Sequence, residues 1–206
     1  MQILTFNQNP MGQNCYAVLK GQQALMIDPG FYTAELAEFL VQHGPAVEYV
    51  LLTHGHFDHF LALPRVLALC PNAKVVLHEA DLAALTDPMI SLAAVFQQPQ
   101  PNMQANIVLK NEQQTLPFAG EAIRFMHTPG HTPGSVCFFL ENSIFSGDTL
   151  FHRGFGRTDH VGGSLNTLRV SIKRLLSQEQ DFTVYPGHGR STTILFEKNN
   201  NPLILV

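Results

Sequence analysis

Apolar and polar residues alternate along the chain in a way that predicts short strands and amphipathic helices. In the first half, strands are predicted at residues 2–6, 15–20, 24–28, 48–52 and 74–78, with helices from Thr33 to Gly44 and at 60–69. The first three strands are separated by turn-forming residues, which favours an antiparallel meander. The β-α-β-α-β order that follows predicts that the sheet is partly parallel.

The second half of the chain predicts a further set of strands and two helices. The strands are expected at residues 107–109, 114–118, 121–127, 135–141, 143–147 and 182–185, and the helices at 164–176 and 191–197. No internal repeat and no linker-like composition is present, so we expect one domain over residues 1–206, built as two packed sheets with helices outside. Length alone would also permit two small domains.

A long connection lies between these two sets of strands. Asp81 to Leu85 are predicted to be helical, but Thr86-Asp87-Pro88 ends that pattern, and Gln97 to Asn106 is a run rich in Gln, Pro and Asn without periodicity, so 86–106 is the connection in question. A structureless connection of this length inside a compact domain is commonly a functional flap. A plain surface excursion is the alternative.

The composition is that of an ordinary globular protein. Of the 206 residues, 14% are charged, and a net charge of −4 provides no basic surface for nucleic acid or an anionic membrane. The amino terminus lacks the pattern of a signal peptide, and no apolar run reaches the ~18 residues of a membrane span. The three cysteines, Cys15, Cys70 and Cys137, are widely spaced in apolar sequence. They predict buried free thiols and therefore a reducing, cytoplasmic location.

A cluster of histidines follows the predicted strand 48–52. Within six residues the chain carries His54, His56, Asp58 and His59. Imidazole nitrogen and carboxylate oxygen are ligands that suit zinc, iron and manganese, and donors at this spacing can reach one ion. The alternative is a polar loop whose histidines are incidental, but a solvated loop gains nothing from four clustered donors. The segment therefore predicts a metal site.

Three further donors share the same setting. His131, Asp148 and His188 each lie directly after an apolar strand, in a turn rich in Gly or Pro. Strand ends along one edge of a sheet lie together, and small turn residues allow the backbone to approach an ion closely. Seven donors exceed what one tetrahedral zinc can use. Asp28, in Ile27-Asp28-Pro29-Gly30, is interpreted as a turn residue rather than a ligand, because Asp is favoured in turns.

These motifs resemble those of a known family. The segments that carry the resemblance are His54-Gly55-His56-Phe57-Asp58-His59, Pro129-Gly130-His131, Gly147-Asp148-Thr149 and Pro186-Gly187-His188-Gly189. In order and spacing they resemble the metallo-β-lactamase-fold hydrolases, and they are most similar to the short bacterial glyoxalase II-like (hydroxyacylglutathione hydrolase-like) proteins. The resemblance implies an α/β fold arranged as an αββα four-layer sandwich, with a dinuclear metal site at one sheet edge.

The resemblance also implies a role for each donor. His54, His56 and His131 would hold a first divalent ion, Asp58, His59 and His188 a second, and Asp148 would bridge both. Zinc is the expected metal, with iron or manganese as alternatives. Two such ions share a hydroxide and polarise an acyl carbonyl, so no Ser or Cys nucleophile is needed. A small-molecule thioester, in particular a glutathione thioester, is the expected substrate, although lactone and β-lactam hydrolysis fit the same site.

The sequence leaves open the role of Arg157, two other functions and the roles of the remaining histidines. Arg157 falls where long glyoxalase II enzymes place a glutathione-contacting Lys, so it is a candidate for substrate binding. The alternative is that Arg157 pairs with Asp159 or orders the loop. The Gly-Arg-Thr-Asp segment also occurs in persulfide dioxygenases of this fold, in which one iron would be held by His54, His131 and Asp148. A non-enzymatic binding domain is disfavoured, because seven polar groups without metal are costly to desolvate. His43 is expected at a helix C-terminus. The remaining histidines, His78, His127, His152 and His160, could line the cleft, but a structural or surface role is the more common one for such residues.

Overall fold

The computed structural model describes residues 1–204. Contacts between residues divide the chain into two compact units, the first from Met1 to Leu109 and the second from Lys110 onward. Each unit contains one six-stranded sheet. Within residues 1–204, none of the helices combines the length and apolar character needed to cross a bilayer.

The first unit is a mixed sheet with two helices. Its strands are β1 (Gln2–Phe6), β2 (Cys15–Lys20), β3 (Gln23–Ile27), β4 (Val47–Leu51), β5 (Lys74–His78) and β6 (Ile107–Leu109). They are neighbours in chain order. The pairs β1–β2 and β2–β3 are antiparallel, whereas β3, β4, β5 and β6 are parallel. Consequently β3, β4 and β5 end at the same edge of the sheet.

The helices α1 (Ala34–His43) and α2 (Leu63–Leu69) cover one face of this sheet. The hydroxyl of Thr33 caps α1 by accepting a hydrogen bond from the backbone N–H of Leu36. Apolar residues spaced at three and four positions face inward, and they form one buried cluster with strand residues: Leu36, Phe39, Leu40, Leu63, Val66, Ala17, Met26, Val50 and Val75. Short 3₁₀ segments lie at Gly44–Ala46, Phe57–His59 and Glu79–Leu85.

The second unit is also a mixed sheet with two helices. Its strands are β7 (Leu116–Phe118), β8 (Glu121–His127), β9 (Val136–Leu140), β10 (Ser143–Gly147), β11 (Thr183–Pro186) and β12 (Thr192–Thr193), in the order β12-β11-β10-β9-β8-β7. Only β10 and β11 are parallel among the pairs described. Because β9 is antiparallel to both β8 and β10, the strands β8, β10 and β11 run in one direction and end at one edge.

The helices α3 (Leu165–Leu176) and α4 (Ile194–Asn200) pack on this second sheet. Ser164 caps α3 and Thr193 caps α4 with their side-chain oxygens. The inward faces of both helices join a buried cluster with the strands: Leu168, Ile172, Leu175, Ile194, Cys137, Phe139, Ile144 and Val184. This packing fixes the turns that follow β8, β10 and β11.

Most of the predicted elements are present, and the partly parallel sheet is confirmed. Three predictions need correction. The helix expected at 60–69 begins at Leu63, because Pro64 occupies its first turn and residues 57–59 form a separate 3₁₀ segment. The stretch predicted helical at 81–85 is a 3₁₀ helix, Glu79–Leu85. The last helix begins later than predicted, after the short strand β12. The single domain over residues 1–206 stays a prediction.

The segment 86–106 forms turns without helix or strand, as the sequence predicts. Hydrogen bonds nonetheless connect it to the rest of the first unit. The carbonyl of Ser91 accepts from the N–H of Phe57 at 2.9 Å, and the N–H of Asn106 donates to the carbonyl of Val75 at 2.8 Å. The rings of Phe96 and Phe57 lie 5.3 Å apart. The segment is therefore anchored next to the first donor cluster, and its role as a flap stays a prediction.

Candidate metal centre

The first group of donors lies where β4 ends, and its members are all buried. They are His54, His56, Asp58 and His59. The last two belong to the 3₁₀ segment that follows the strand. Ligand atoms of His54 lie within 4.8 Å of those of His56 and of His59, and Asp58 and His59 are as close to each other. Four buried donors at this separation form a compact ligand group on one segment of chain.

Asp28 fixes the orientation of His59. This aspartate follows β3, the neighbour of β4, and has a left-handed backbone conformation with φ of 50°. Its Oδ1 accepts from the N–H of Thr53 at 2.7 Å, and its Oδ2 lies 2.9 Å from His59 Nδ1. Because a carboxylate only accepts, His59 Nδ1 carries the proton and its Nε2 presents a lone pair. The interpretation of Asp28 as a turn residue was incomplete, because its side chain orients a predicted ligand.

A second link runs through Thr53 to His54. The hydroxyl of Thr53 donates to Asp28 Oδ2 at 2.6 Å, so its oxygen can accept from His54 Nδ1, which lies 3.1 Å away. This arrangement places a proton on Nδ1 of His54 and leaves Nε2 as the ligand atom. One buried carboxylate therefore sets the tautomer of two histidines.

The backbone between His54 and His56 is held by another carboxylate, Asp81. This buried residue lies in the 3₁₀ segment after β5, and its Oδ2 accepts from the N–H of Gly55 at 2.9 Å. A side chain at Gly55 would meet the Cβ of Ala84 at 2.5 Å, so glycine permits the close approach. The sequence predicts Asp81 only as part of a helical stretch, with no role at the metal site. Its signal is an acidic residue directly after the strand that neighbours β4.

The second unit brings together the other three predicted donors. His131 Nε2 lies 3.5 Å and His188 Nε2 lies 3.7 Å from Oδ2 of Asp148. Each residue follows one of the strands that end at the same edge, β8, β10 and β11. The carboxylate therefore lies next to both imidazoles, as a bridging ligand requires.

Hydrogen bonds between the turns hold this group in place. The hydroxyls of Thr128 and Thr149 are 2.9 Å apart, which joins the turn after β8 to the turn after β10. The N–H of Gly187 donates to the carbonyl of Gly147 at 2.8 Å, which joins the turns after β10 and β11. His131 Nδ1 lies 2.7 Å from the carbonyl oxygen of Arg157. That nitrogen is therefore the protonated one, and Nε2 is the ligand atom.

Arg157 has its carbonyl at this group but its guanidinium on the surface. Nε and Nη2 of Arg157 each donate to a different carboxylate oxygen of Asp159 at 2.9 Å, and the two side chains are 75% and 67% exposed. The ion pair lowers the pKa of Asp159 to about 2. The structure thus shows the pairing that was the alternative to substrate binding, and a substrate-binding role for Arg157 stays a prediction.

The other histidines have individual surroundings. His43 ends α1, as predicted, and its ring lies 4.9 Å from that of Phe39. His160 packs edge-on against His131 at 4.8 Å. His78 caps the 3₁₀ segment that follows β5. His127 Nε2 lies 2.8 Å from the carbonyl oxygen of Pro133. His152 belongs to a network around Glu197 that is described below. Among these five, His160 contacts a predicted ligand.

The donor set fits transition-metal ions. It consists of imidazole and carboxylate groups, and neighbouring acceptors fix the ring protons of His54, His59 and His131 on Nδ1. The thiols do not compete for the metal. All three cysteines are buried and free, and burial raises the pKa of Cys70 and of Cys137 to about 11. Thiols of such high pKa stay protonated near neutral pH and are poor ligands.

A family model described as the Metallo-beta-lactamase superfamily matches residues 9–188. The chain belongs to this superfamily. Similar proteins include a probable metallo-hydrolase, YqgX, from Bacillus subtilis, with 31% identity over 95% of this chain and 93% of the relative. Hydroxyacylglutathione hydrolase GloC from Haemophilus influenzae is 33% identical over 93% of this chain and 92% of its own length.

Similar solved structures support the same superfamily. The BLEG-1 B3 metallo-beta-lactamase is similar over 100% of both chains, with 32% identity and a TM-score of 0.91. TTHA1623, solved in a di-iron-bound form, is similar over 97% of this chain and 98% of its own, with 32% identity and a TM-score of 0.83. The predicted family and the metallo-β-lactamase fold, with two mixed sheets and flanking helices, are confirmed. The His and Asp donors fit the dinuclear site of a metallo-hydrolase family.

Proposed function

We propose that this chain is a dinuclear metal hydrolase that cleaves a thioester of the hydroxyacylglutathione class. The observation that carries the proposal is the preparation of the histidines as ligands. Nδ1 of His54, His59 and His131 each lies against a hydrogen-bond acceptor, so all three rings present Nε2 for coordination. A merely structural cluster of histidines has no need of a common tautomer.

We assign the ligands by the order of motifs along the chain. His54, His56 and His131 would hold the first ion, Asp58, His59 and His188 would hold the second, and Asp148 would be shared. Zinc is the proposed metal. Iron is the main alternative, since the similar protein TTHA1623 was solved with two irons.

The ions would supply a hydroxide nucleophile near neutral pH and polarise the acyl carbonyl. The residues of this chain do the remaining work. Asp28 and Thr53 hold the ligand rings in one orientation, and Asp81 fixes the backbone between His54 and His56. The guanidinium of Arg157 is proposed to bind a substrate carboxylate through its planar fork after it leaves Asp159. The cysteines, being buried and protonated, take no part.

Similarity to a hydroxyacylglutathione hydrolase over nearly the whole chain supports the choice of a thioester. We also propose that the chain forms a single domain and acts on a small molecule. We keep the cytoplasm as its proposed location, because three buried free thiols suit a reducing compartment.

The test combines metal analysis with a thioesterase assay. Purified protein is expected to contain about two transition-metal ions per chain and to release free thiol from S-lactoylglutathione, with loss of activity on chelation. Absence of thiol release from a fully metallated sample would reject the thioesterase. One iron per chain, with oxygen uptake on glutathione persulfide, would replace the hydrolase by a dioxygenase that uses His54, His131 and Asp148.

A second candidate activity is β-lactam hydrolysis. It is favoured by the similarity to a B3 metallo-beta-lactamase, which extends over the full length of both chains. The same donors serve both reactions, since each is a hydroxide attack on an activated acyl carbonyl. Assay of one metallated preparation with S-lactoylglutathione and with a chromogenic cephalosporin separates the two. A kcat/KM that is higher for the cephalosporin would make the lactamase the better assignment.

A further inference from the structure

A buried carboxylate in the second unit lies outside the predicted ligand set. Glu197 in α4 is 0% exposed. Its Oε1 and Oε2 accept from the backbone N–H of Arg153 at 3.0 and 3.1 Å, and Oε1 also accepts from the hydroxyl of Thr192 at 2.6 Å. The side-chain amide of Asn201 donates to Oε2 at 3.0 Å. A buried charge is costly unless it is hydrogen-bonded, so this set of donors shows a specific arrangement.

Arg153 lies in the chain segment that leaves Asp148. The backbones of Phe151 and Gly154 pair with each other in an isolated bridge, with N–H to O distances of 3.0 and 3.2 Å. Arg153, at the tip of this small loop, has φ of 54°, a conformation that residues other than glycine adopt at a cost. The carboxylate of Glu197 binds the N–H of that residue. It therefore holds the loop in a conformation that the backbone alone does not favour.

The same carboxylate also holds the segment that leaves His188. Thr192 is on this segment, and its hydroxyl donates directly to Glu197. Arg190 donates to Nε2 of His152, whose Nδ1 lies 3.7 Å from Oε1 of Glu197. The ring of His152 therefore lies between the buried carboxylate and a guanidinium from the segment after His188.

The two segments also meet next to a predicted ligand. The rings of Phe151 and His188 are 6.1 Å apart and nearly perpendicular. The amide of Asn201, which binds Glu197, also donates to the carbonyl of Gly154 at 3.0 Å. Helix α4 therefore contacts the chain on the C-terminal side of both Asp148 and His188.

We propose that Glu197 is a positioning residue for the metal centre, because it fixes the segments that follow Asp148 and His188 and so sets the separation of these two ligands. The proposal rests on the proposed function, in which both residues bind metal. It gives α4 a role in organising the metal site.

The first test measures metal binding by Glu197→Gln, in which one oxygen acceptor becomes a donor at nearly constant volume. The ion assigned to both His188 and Asp148 is expected to bind about 10-fold to 100-fold more weakly. The other ion, which has only Asp148 of these two ligands, should lose less affinity. Glu179→Gln makes the same change at an exposed position and should retain both ions. Leu203→Ala removes a buried contact from the apolar cluster of the second unit, to which α4 also contributes. It should lower thermal stability without changing the metal affinities.

The second test uses the metal-free protein, so that it does not depend on the proposed function. Amide hydrogen exchange in residues 149–156 and 189–193 should lose protection in Glu197→Gln and keep it in Glu179→Gln. Thr192→Val, which removes one donor to Glu197, is the second variant in case Glu197→Gln fails to fold. It should cause a weaker loss of protection in the same segments. Unchanged exchange in the folded variant would overturn the proposal. Fewer than two ions bound to the wild type would instead overturn the dinuclear function, and the exchange data would still decide the role of Glu197.

Discussion

The carboxylate of Asp28 and the imidazole of His59 are joined by a hydrogen bond of 2.9 Å between Oδ2 and Nδ1, and both side chains are buried. Two oxygens of Asp28 serve three donors in all, because Thr53 contributes its N–H and its hydroxyl. This bond places the ring proton of His59 on Nδ1, so Nε2, which faces away from Asp28, is the acceptor. The orientation of a predicted ligand on one strand end thus depends on a residue at the end of the neighbouring strand.

Asp28→Asn should therefore weaken metal binding without removing a ligand. The amide has one acceptor oxygen where the carboxylate has two, so at least one of the three donors loses its partner. We expect at least one ion to bind about 10-fold to 100-fold more weakly, as is typical when a hydrogen-bond partner that orients a metal ligand is lost. Zinc titration of the metal-free protein measures the effect. Asp87→Asn, whose carboxylate accepts from the backbone of a turn, is the matched control and should bind metal like the wild type; equal affinities in both variants would contradict the role of Asp28.

Gly30→Ala should displace the backbone of Asp58. A Cβ at Gly30 would lie 1.6 Å from the carbonyl oxygen of Asp58 and 2.6 Å from Oε1 of Gln13, so the chain must move. Overpacking of this kind costs roughly 1–3 kcal/mol, and here it shifts a predicted ligand as well. Denaturant unfolding and metal analysis should both show a loss. Gly21→Ala is the control without a clash, because nothing lies within 4 Å of its Cβ; its φ of +61° adds a backbone strain that Gly30 does not have, but no predicted ligand is displaced. A loss of stability in both variants with metal retained would mean that Gly30 has no influence on Asp58.

The seven donors could be predicted from the sequence because each stands in a local motif, in which histidine or aspartate directly follows an apolar strand. Asp28, Asp81 and Glu197 could not be predicted in the same way. The role of Asp28 and Asp81 depends on the order β3-β4-β5, which places their side chains next to the segment after β4. Glu197 looks like an ordinary helix residue until α4 is packed against the loop around Arg153. Local spacing predicts candidate ligands, whereas the residues that support them depend on which strands are neighbours.

Asp159→Asn should free Arg157 for a substrate. The pair is largely exposed, so its loss is expected to leave the unfolding midpoint nearly unchanged. Under the proposed function, KM for S-lactoylglutathione should fall in Asp159→Asn and rise in Arg157→Ala, with kcat altered less than KM. Unchanged KM in both variants would mean that the pair has only a local structural role.

The pH dependence of the same pair follows from the lowered pKa of Asp159. Its folded-state value of about 2 is below the ordinary 3.8, so the ion pair is fully present above pH 4 and is lost only as the pH falls through about 2. Between pH 6 and 9 the pair does not titrate. The shapes of the kcat/KM profiles of wild type and Asp159→Asn should therefore agree over this range, and a shift between them would show that Asp159 influences a titrating group of the site.

The thiols should resist modification in the native protein. Burial raises the pKa of Cys70 and Cys137 to about 11 and that of Cys15 well above its ordinary value, so the reactive thiolate is scarce below pH 9. Ellman's reagent is expected to report no free thiol in the native protein and all three after denaturation. Rapid reaction of a native thiol would contradict the burial. The same resistance makes the reagent suitable for following thiol release from a thioester substrate.

Asp148→Asn should remove metal and activity while it preserves the fold. The carboxylate lies 3.5 and 3.7 Å from the ring nitrogens of His131 and His188, in a turn at the sheet edge, and the apolar cluster of the second unit does not depend on it. An amide cannot bridge two ions as a carboxylate does, so metal content should fall below about two ions per chain. Zinc at about 100 times its Kd should stabilise the wild type by about 2.7 kcal/mol for each site, and the variant by clearly less. Thermal unfolding of both metal-free proteins provides the control, because their midpoints should be similar. Retention of two ions and full activity in the variant would show that Asp148 is not the shared ligand.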